Sequence, residues 1–289
     1  MNTRVALLIA LSALSLWFAW TWWRAEHGAE RAPSAERRAP SMFEYGLGFI
    51  VLFLDTLGIG SFAPTTSVFK LRRMVADEHI PGTLNIGTSV PVVMEAFIFI
   101  AAVQVDPVLL VSTICAAVLG AWTGASLLVR MERRTLQRVI GSALLMGALM
   151  MVLTNLELMP SGGTALALSG WKFAVAVIVH FLLGALMTAG IGLFAPSIIT
   201  LALLGMHPLM AFPIMMGACA FLQPVASKRF LASGKYALAP AIGLTAGGVA
   251  GVAVAAFIVK SLPMTGLRWL VVGVVMYAAV VMLRASMRR

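Results

Sequence analysis

The chain has 289 residues, 61% hydrophobic and 11% charged, with a mean hydropathy of +0.97. Soluble domains carry roughly 25% charged residues, so a water-soluble globule, a disordered chain and a collagen-like chain are excluded, and a helical integral membrane protein remains. Lys and Arg number 21 against 11 Asp and Glu, a formal charge of +10; these cations fall between apolar runs, where they set topology, and not along a nucleic-acid-binding face.

The first apolar run, residues 5–23, ends at Trp20, Trp22, Trp23 and Arg24. Indoles suit a membrane interface and no small-residue cleavage site follows, so the run reads as an uncleaved N-terminal transmembrane helix. Residues 24–41 are a polar linker without an apolar face. Further apolar spans follow at 43–60, 81–105, 107–129, 137–156, 171–192, 207–226, 237–259 and 268–284. At 1.5 Å per residue these lengths suit a hydrocarbon core of ~30 Å. The fold class is therefore all-α integral membrane. Its parts are the N-terminal helix and linker (1–41), a first repeat (42–159) and a second repeat (160–289).

The basic loops are 70–73, 130–138, 227–235 and 284–289. If every span crosses once, the first two loops lie on one side and the last two on the other. That conflicts with the positive-inside rule, unless one span is re-entrant or the segmentation differs. An N-terminal helix with Arg4 inside places the loops 70–73 and 130–138 in the cytoplasm.

Gly58-Ile59-Gly60-Ser61-Phe62-Ala63-Pro64 recurs as Gly190-Ile191-Gly192-Leu193-Phe194-Ala195-Pro196, identical at six of seven positions. Each copy ends a long apolar span and is followed by a second proline, Pro81 or Pro208, opening the next. Duplicated, Gly/Pro-interrupted segments in two halves point to a transporter's binding site. The glycines permit helix termination and close backbone approach. Pro64 and Pro196 fit the first position of a new helix. The fresh helix N-terminus offers unpaired N–H groups to an anion. Hydroxyls gather beside it, Ser61, Thr65, Thr66 and Ser67 in one half, Ser197 and Thr200 in the other.

With these motifs the chain resembles the TauE/SafE sulfite exporter family, over roughly residues 42–289 and with the N-terminal helix outside the shared region. Pro81 followed by Gly87-Thr88-Ser89 is similar to the family's Gly-Thr-Ser step; the second half reads Pro213-Ile214-Met215 there. The resemblance implies two four-helix units, each with a glycine-rich break followed by proline. It also implies transport of a small sulfur-containing anion such as sulfite or an organosulfonate, often with protons as coupling ion. The expected substrate site comprises Gly58, Gly60, Ser61, Pro64, Thr65, Thr66, Asn85, Thr88, Ser89, Gly190, Gly192, Pro196 and Ser197.

Three ionisable side chains lie inside apolar spans: Asp55, Glu95 and His180. A charge at the bilayer centre costs at least ~2.5 kcal/mol, so such residues are functional or paired. All three are proton-coupling candidates; a helix-capping Asp55, a structural hydrogen bond for Glu95 and a neutral, bonded His180 are the plain alternatives. Asp55 aligns with Met187 of the second copy, so this acid belongs to one half only. Cys115 and Cys219 lack metal-ligand spacing and read as small buried hydrophobes. No cofactor, metal or catalytic grouping is expected. A passive anion channel and a membrane assembly partner are the competing functions. A bacterial plasma membrane is the expected location. Spacing leaves the oligomeric state open.

Overall fold

The computed structural model describes residues 3–27, 38–58, 60–76, 78–127, 163–188, 192–261 and 264–287, with single positions between 138 and 156. The expected span 137–156 therefore lies largely outside the described residues, as does Gly190. In chain order the helices are α1 (Thr3–His27), α2 (Met42–Thr56), α3 (Phe62–Arg72), α4 (Ile80–Ala102) and α5 (Pro107–Leu127). They continue with α6 (Gly170–Thr188), α7 (Phe194–Leu203), α8 (Pro208–Ser233), α9 (Leu238–Ser261) and α10 (Met264–Met287). Among the described residues there is no strand, only one isolated bridge between Ala165 and Met206. Among the described residues, five helices are long and apolar enough to cross a membrane: α1, α4, α6, α8 and α9.

Local chemistry sets the helix ends. Ser41 and Glu44 form a capping box at the start of α2, and Arg38 pairs with the same Glu44 carboxylate. Pro81, Pro107 and Pro208 sit in first turns, where a missing N–H leaves no gap. Gly234, at φ 65°, closes α8 in the left-handed conformation.

Close contacts fix the helix directions. Gly243 lies against Glu44, Gly247 against Tyr45 and Phe49, and Gly251 against Phe49 and Phe53, so α2 and α9 run parallel. Gly248 of α9 meets both Leu52 and Pro91, and Thr56 bonds Glu95, so α4 runs parallel to both. With α2 and α4 parallel, α3 has to bring the chain back, and it does: Arg72, at its end, lies 4.1 Å over the ring of Phe43 at the start of α2. The second half repeats the reversal. Ala165, before α6, exchanges backbone hydrogen bonds with Gly205 and His207, just after α7, and Gly205 lies by Lys172. The pairs α2–α3 and α6–α7 are thus helical hairpins. Helix α8 is antiparallel to α4, since Phe99 stacks on Phe212, Thr88 bonds Gln223, and Lys235 lies by Gly82.

This geometry resolves the charge conflict. Spans 43–60 and 171–192, expected to cross, turn back within the bundle, because an apolar hairpin arm and an apolar crossing helix share one composition. Lys70, Arg72, Arg73, Lys228, Arg229 and Lys235 then all lie at one end, with the end of α1, whose Glu26 accepts a hydrogen bond from Tyr236. Asp106, Lys172 and the start of α1 lie at the other. Arg4 is therefore at the end opposite to the basic loops, contrary to the reading that placed it with them. The positive-inside rule predicts that the basic end faces the cytoplasm. Single cysteines replacing Lys70 and Lys228, in a background lacking Cys115 and Cys219, are expected to resist an impermeant maleimide added outside intact cells, while one replacing Asp106 reacts. Labelling of Lys70 and Lys228 positions from opposite sides would contradict the two hairpins.

Candidate functional site

The tips of the two hairpins meet midway along α8. Asp55, Gly60, Ser61 and Phe62 from one hairpin and Met187, Gly192, Leu193 and Phe194 from the other line a single cavity, closed by Cys219 and Gln223 of α8. Its volume is about 20 Å³, room for about one water. The chain bends into it through Gly58 and Gly60, at φ 94° and 84°, conformations that a side chain resists. Gly192 does not share that conformation.

Asp55 is buried, and its Oδ1 accepts the backbone N–H of Ser61 at 2.5 Å, at the start of α3. Ser61 is buried too, and its Oγ, close to the Asp55 carboxylate, meets no acceptor in hydrogen-bond geometry. Other hydroxyls are spent. Thr65 donates to the Ser61 carbonyl at 2.7 Å, Thr200 to that of Pro196 at 2.8 Å, and Ser89 to that of Asn85. Buried polar atoms without partners are uncommon and ask for a reason. Pro64 and Pro196 hold the third helical position, not the expected first, because Phe62 and Phe194 already begin their helices. Both remain within the first turn, where an N–H has no intrahelical acceptor.

Glu95, buried at mid-helix in α4, accepts from Thr56 Oγ1 at 2.8 Å through Oε1, while Oε2 has no partner. It lies within electrostatic reach of Asp55. Among the described residues, no cationic side chain lines the cavity. His180 sits elsewhere. Its Nδ1–H donates to the Ala176 carbonyl at 2.7 Å, leaving Nε2 to accept from Ser197 at 2.9 Å. Both nitrogens, and the Ser197 hydroxyl, are thereby engaged away from the cavity.

Of the expected site residues, the structure brings Asp55, Gly60, Ser61 and Gly192 to the cavity, with Gly58 beside them against Ile198 and Met215. Thr65, Pro64, Ser197 and Pro196 stand behind it in the first turns of α3 and α7, and Thr66 follows on α3. Asn85, Thr88 and Ser89 are elsewhere, on the α4 face toward α8; Thr88 donates to Gln223 Oε1 at 2.9 Å and Ser89 approaches Ser227. Asn85 donates to the Pro81 carbonyl, and its buried Oδ1 is unpartnered. Six lining residues were not expected at a site: the apolar Phe62, Met187, Leu193 and Phe194, Cys219, whose thiol meets the Met187 sulfur at 3.7 Å, and Gln223. A lone amide inside a long apolar span is the signal that marks Gln223, the same one that marks Glu95.

Two helical hairpins meeting at a buried, partly polar cavity inside an apolar helical bundle place the chain among integral membrane proteins. The family described as "Sulfite exporter TauE/SafE" matches residues 2–151, more than half of the chain, and the protein belongs to that family. The match takes in the N-terminal helix, which the sequence resemblance leaves outside, and ends before the second hairpin. No curated protein and no solved structure gives a match.

Proposed function

We propose that the protein is a proton-coupled secondary transporter of a small sulfur-containing anion, sulfite or an organosulfonate, bound between the two hairpin tips. The observation that carries this reading is the unpartnered, buried Ser61 hydroxyl at a cavity lined equally by both copies of the duplicated motif. An oxyanion supplies the missing acceptor. Gln223, whose Oε1 is held by Thr88, presents its NH2 group as a further donor. The N-termini of α3 and α7 add backbone dipoles.

Residues 42–159 and 160–289 act as two inverted units. Exchanging them turns the α2–α9 contact into α6–α5 and α4–α9 into α8–α5, and maps α4–α8 onto itself. Their hairpins open toward opposite ends. Inverted repeats with a midplane site rock about the substrate for alternating access. A cavity of about 20 Å³ is a closed state, which widens to admit an anion.

Protons enter on electrostatic grounds. A site with Asp55 and Glu95 close by and no lining cation repels an anion unless protons offset the charge. His180 contributes by holding Ser197, not by relaying protons. The basic end faces the cytoplasm of a bacterial cell.

The test is a thermal-shift screen of the purified protein against sulfite, thiosulfate, sulfoacetate, taurine, sulfate, phosphate and chloride at fixed ionic strength. Binding to the folded state raises its stability with ligand concentration. Selective stabilisation by a sulfur anion is expected, weakened roughly tenfold in apparent affinity by Ser61→Ala. A chloride response equal to that of every sulfur anion would favour a channel instead.

A further inference from the structure

We propose that the Asp55 carboxylate is a built-in competitor of the transported anion: it occupies the N-terminus of α3 when ionised and yields that place when protonated, so that each anion bound brings a proton with it. This rests on the anion site proposed above and specifies how the proton enters it.

The two helix starts at the cavity are built from the same motif but are not equally free. At α3 the Ser61 N–H is held by Asp55 Oδ1 at 2.5 Å. An ionised carboxylate on a helix N-terminus has the charge and the acceptor geometry of the oxyanion this position suits. At α7 the residue aligned with Asp55 is Met187, and among the described residues no side chain takes the place that Asp55 Oδ1 holds at α3. Leu193 also replaces Ser61 there. One half of the site is thus open to an anion at any pH and the other is occupied from within. The Ser61 hydroxyl, buried beside the occupied half and without a partner, is a donor left over for a ligand that arrives when Asp55 gives way.

The sign of the coupling follows. Ionised Asp55 holds the Ser61 N–H and repels the anion. Protonation removes the charge and weakens the carboxyl group as an acceptor, so the anion takes the N–H and the Ser61 hydroxyl together. Binding of the anion then favours the protonated acid by the same factor, by linkage. The other titratable groups facing Asp55 are Glu95 from α4 and Cys219 from α8; the α6–α7 hairpin presents Met187, Leu193 and Phe194. Glu95 is tied to Thr56 and makes no bond to the Ser61 backbone, so it adjusts the field but does not occupy the helix start.

The full-length protein in nanodiscs is titrated calorimetrically with methanesulfonate, a strong-acid monoanion whose own charge is constant with pH. The wild type is expected to bind at least roughly tenfold more tightly at about pH 5.5 than at about pH 8. Asp55→Asn retains an acceptor for Ser61 but no titration, and is expected to bind within about twofold at the two pH values. Glu95→Gln removes a neighbouring charge but not the occupant of the helix start, so it is expected to bind more tightly at the lower pH still, with the midpoint of the dependence displaced. Unchanged pH dependence in Asp55→Asn, or none in the wild type, overturns the competitor role while leaving the anion site intact. Absence of binding by methanesulfonate and sulfite in the wild type at both pH values overturns the site itself, and the competitor with it. A second readout needs no variant: titrations in two buffers of different ionisation enthalpy report proton uptake, expected to average at least ~0.4 proton per anion between those pH values and to approach one toward the alkaline end. Zero uptake overturns the proposal.

Discussion

Replacing Gly192 by leucine is expected to abolish transport while leaving a folded protein. Gly192 lines the cavity, is not in a left-handed conformation, and a Cβ built on it meets nothing within 4 Å. The Cβ therefore enters open space and does not strain the backbone, and the rest of the side chain projects into the cavity. That space is the proposed substrate position, and its volume of about 20 Å³ leaves no room for both an isobutyl group and an anion. Crowding a pocket with added methylenes costs up to about 200-fold in discrimination, and flux is expected to fall by at least roughly 100-fold. Gly192→Ala should fall less. Flux into proteoliposomes, with circular dichroism and gel filtration on the same samples, checks this. Full transport by a folded Gly192→Leu protein would move the substrate path away from the hairpin tips. Gly60 offers no such clean test, because at φ 84° any side chain strains the turn.

The second large effect concerns the contacts that hold the long hairpin arms. A Cβ on Gly184 of α6 would collide with the Ala117 carbonyl, and one on Gly120 of α5 with the Phe181 carbonyl. Helix α9 meets α2 in the same way, through Gly247 against Tyr45 and Gly251 against Phe49. In a membrane, where lipid is as apolar as the side chains, such close backbone approach is a main source of helix association. Forcing a methyl group into each contact costs roughly 1–3 kcal/mol. Gly120→Ala with Gly184→Ala is therefore expected to lower the melting temperature by about 5–15 °C. Alanine at Gly46 or Gly273, whose Cβ positions are open, should change little. An unchanged melting temperature in the double variant would show that the α5–α6 contact is looser than described.

The sequence makes the duplicated motif plain, because identical glycines, phenylalanine and proline at one constant offset need no structure to be seen. It also marks Asp55 and Glu95, since a carboxylate in an apolar span has few bland explanations. Re-entry is harder to read. Spans 43–60 and 171–192 have the length and hydropathy of crossing helices, and only the return of Arg72 to Phe43 and of Gly205 to Lys172 shows that the chain turns back. The charge conflict among the loops was the trace of this reversal. Lateral pairing was not legible either. Nothing in spacing couples His180 to Ser197 or Thr88 to Gln223. Hydroxyls that look available in sequence prove to be bonded to carbonyls one turn back, which sets Ser61 apart only in three dimensions.

Solute counterflow tests the transport claim most directly. Proteoliposomes holding the full-length protein are loaded with unlabelled sulfite and diluted into a trace of 35S-sulfite. A carrier that exposes its site alternately accumulates label transiently above equilibrium, faster at acid than at alkaline pH, and does so for sulfur anions but not for chloride. Label that only equilibrates, at a rate indifferent to internal sulfite and to pH, would contradict the carrier and leave a passive pore.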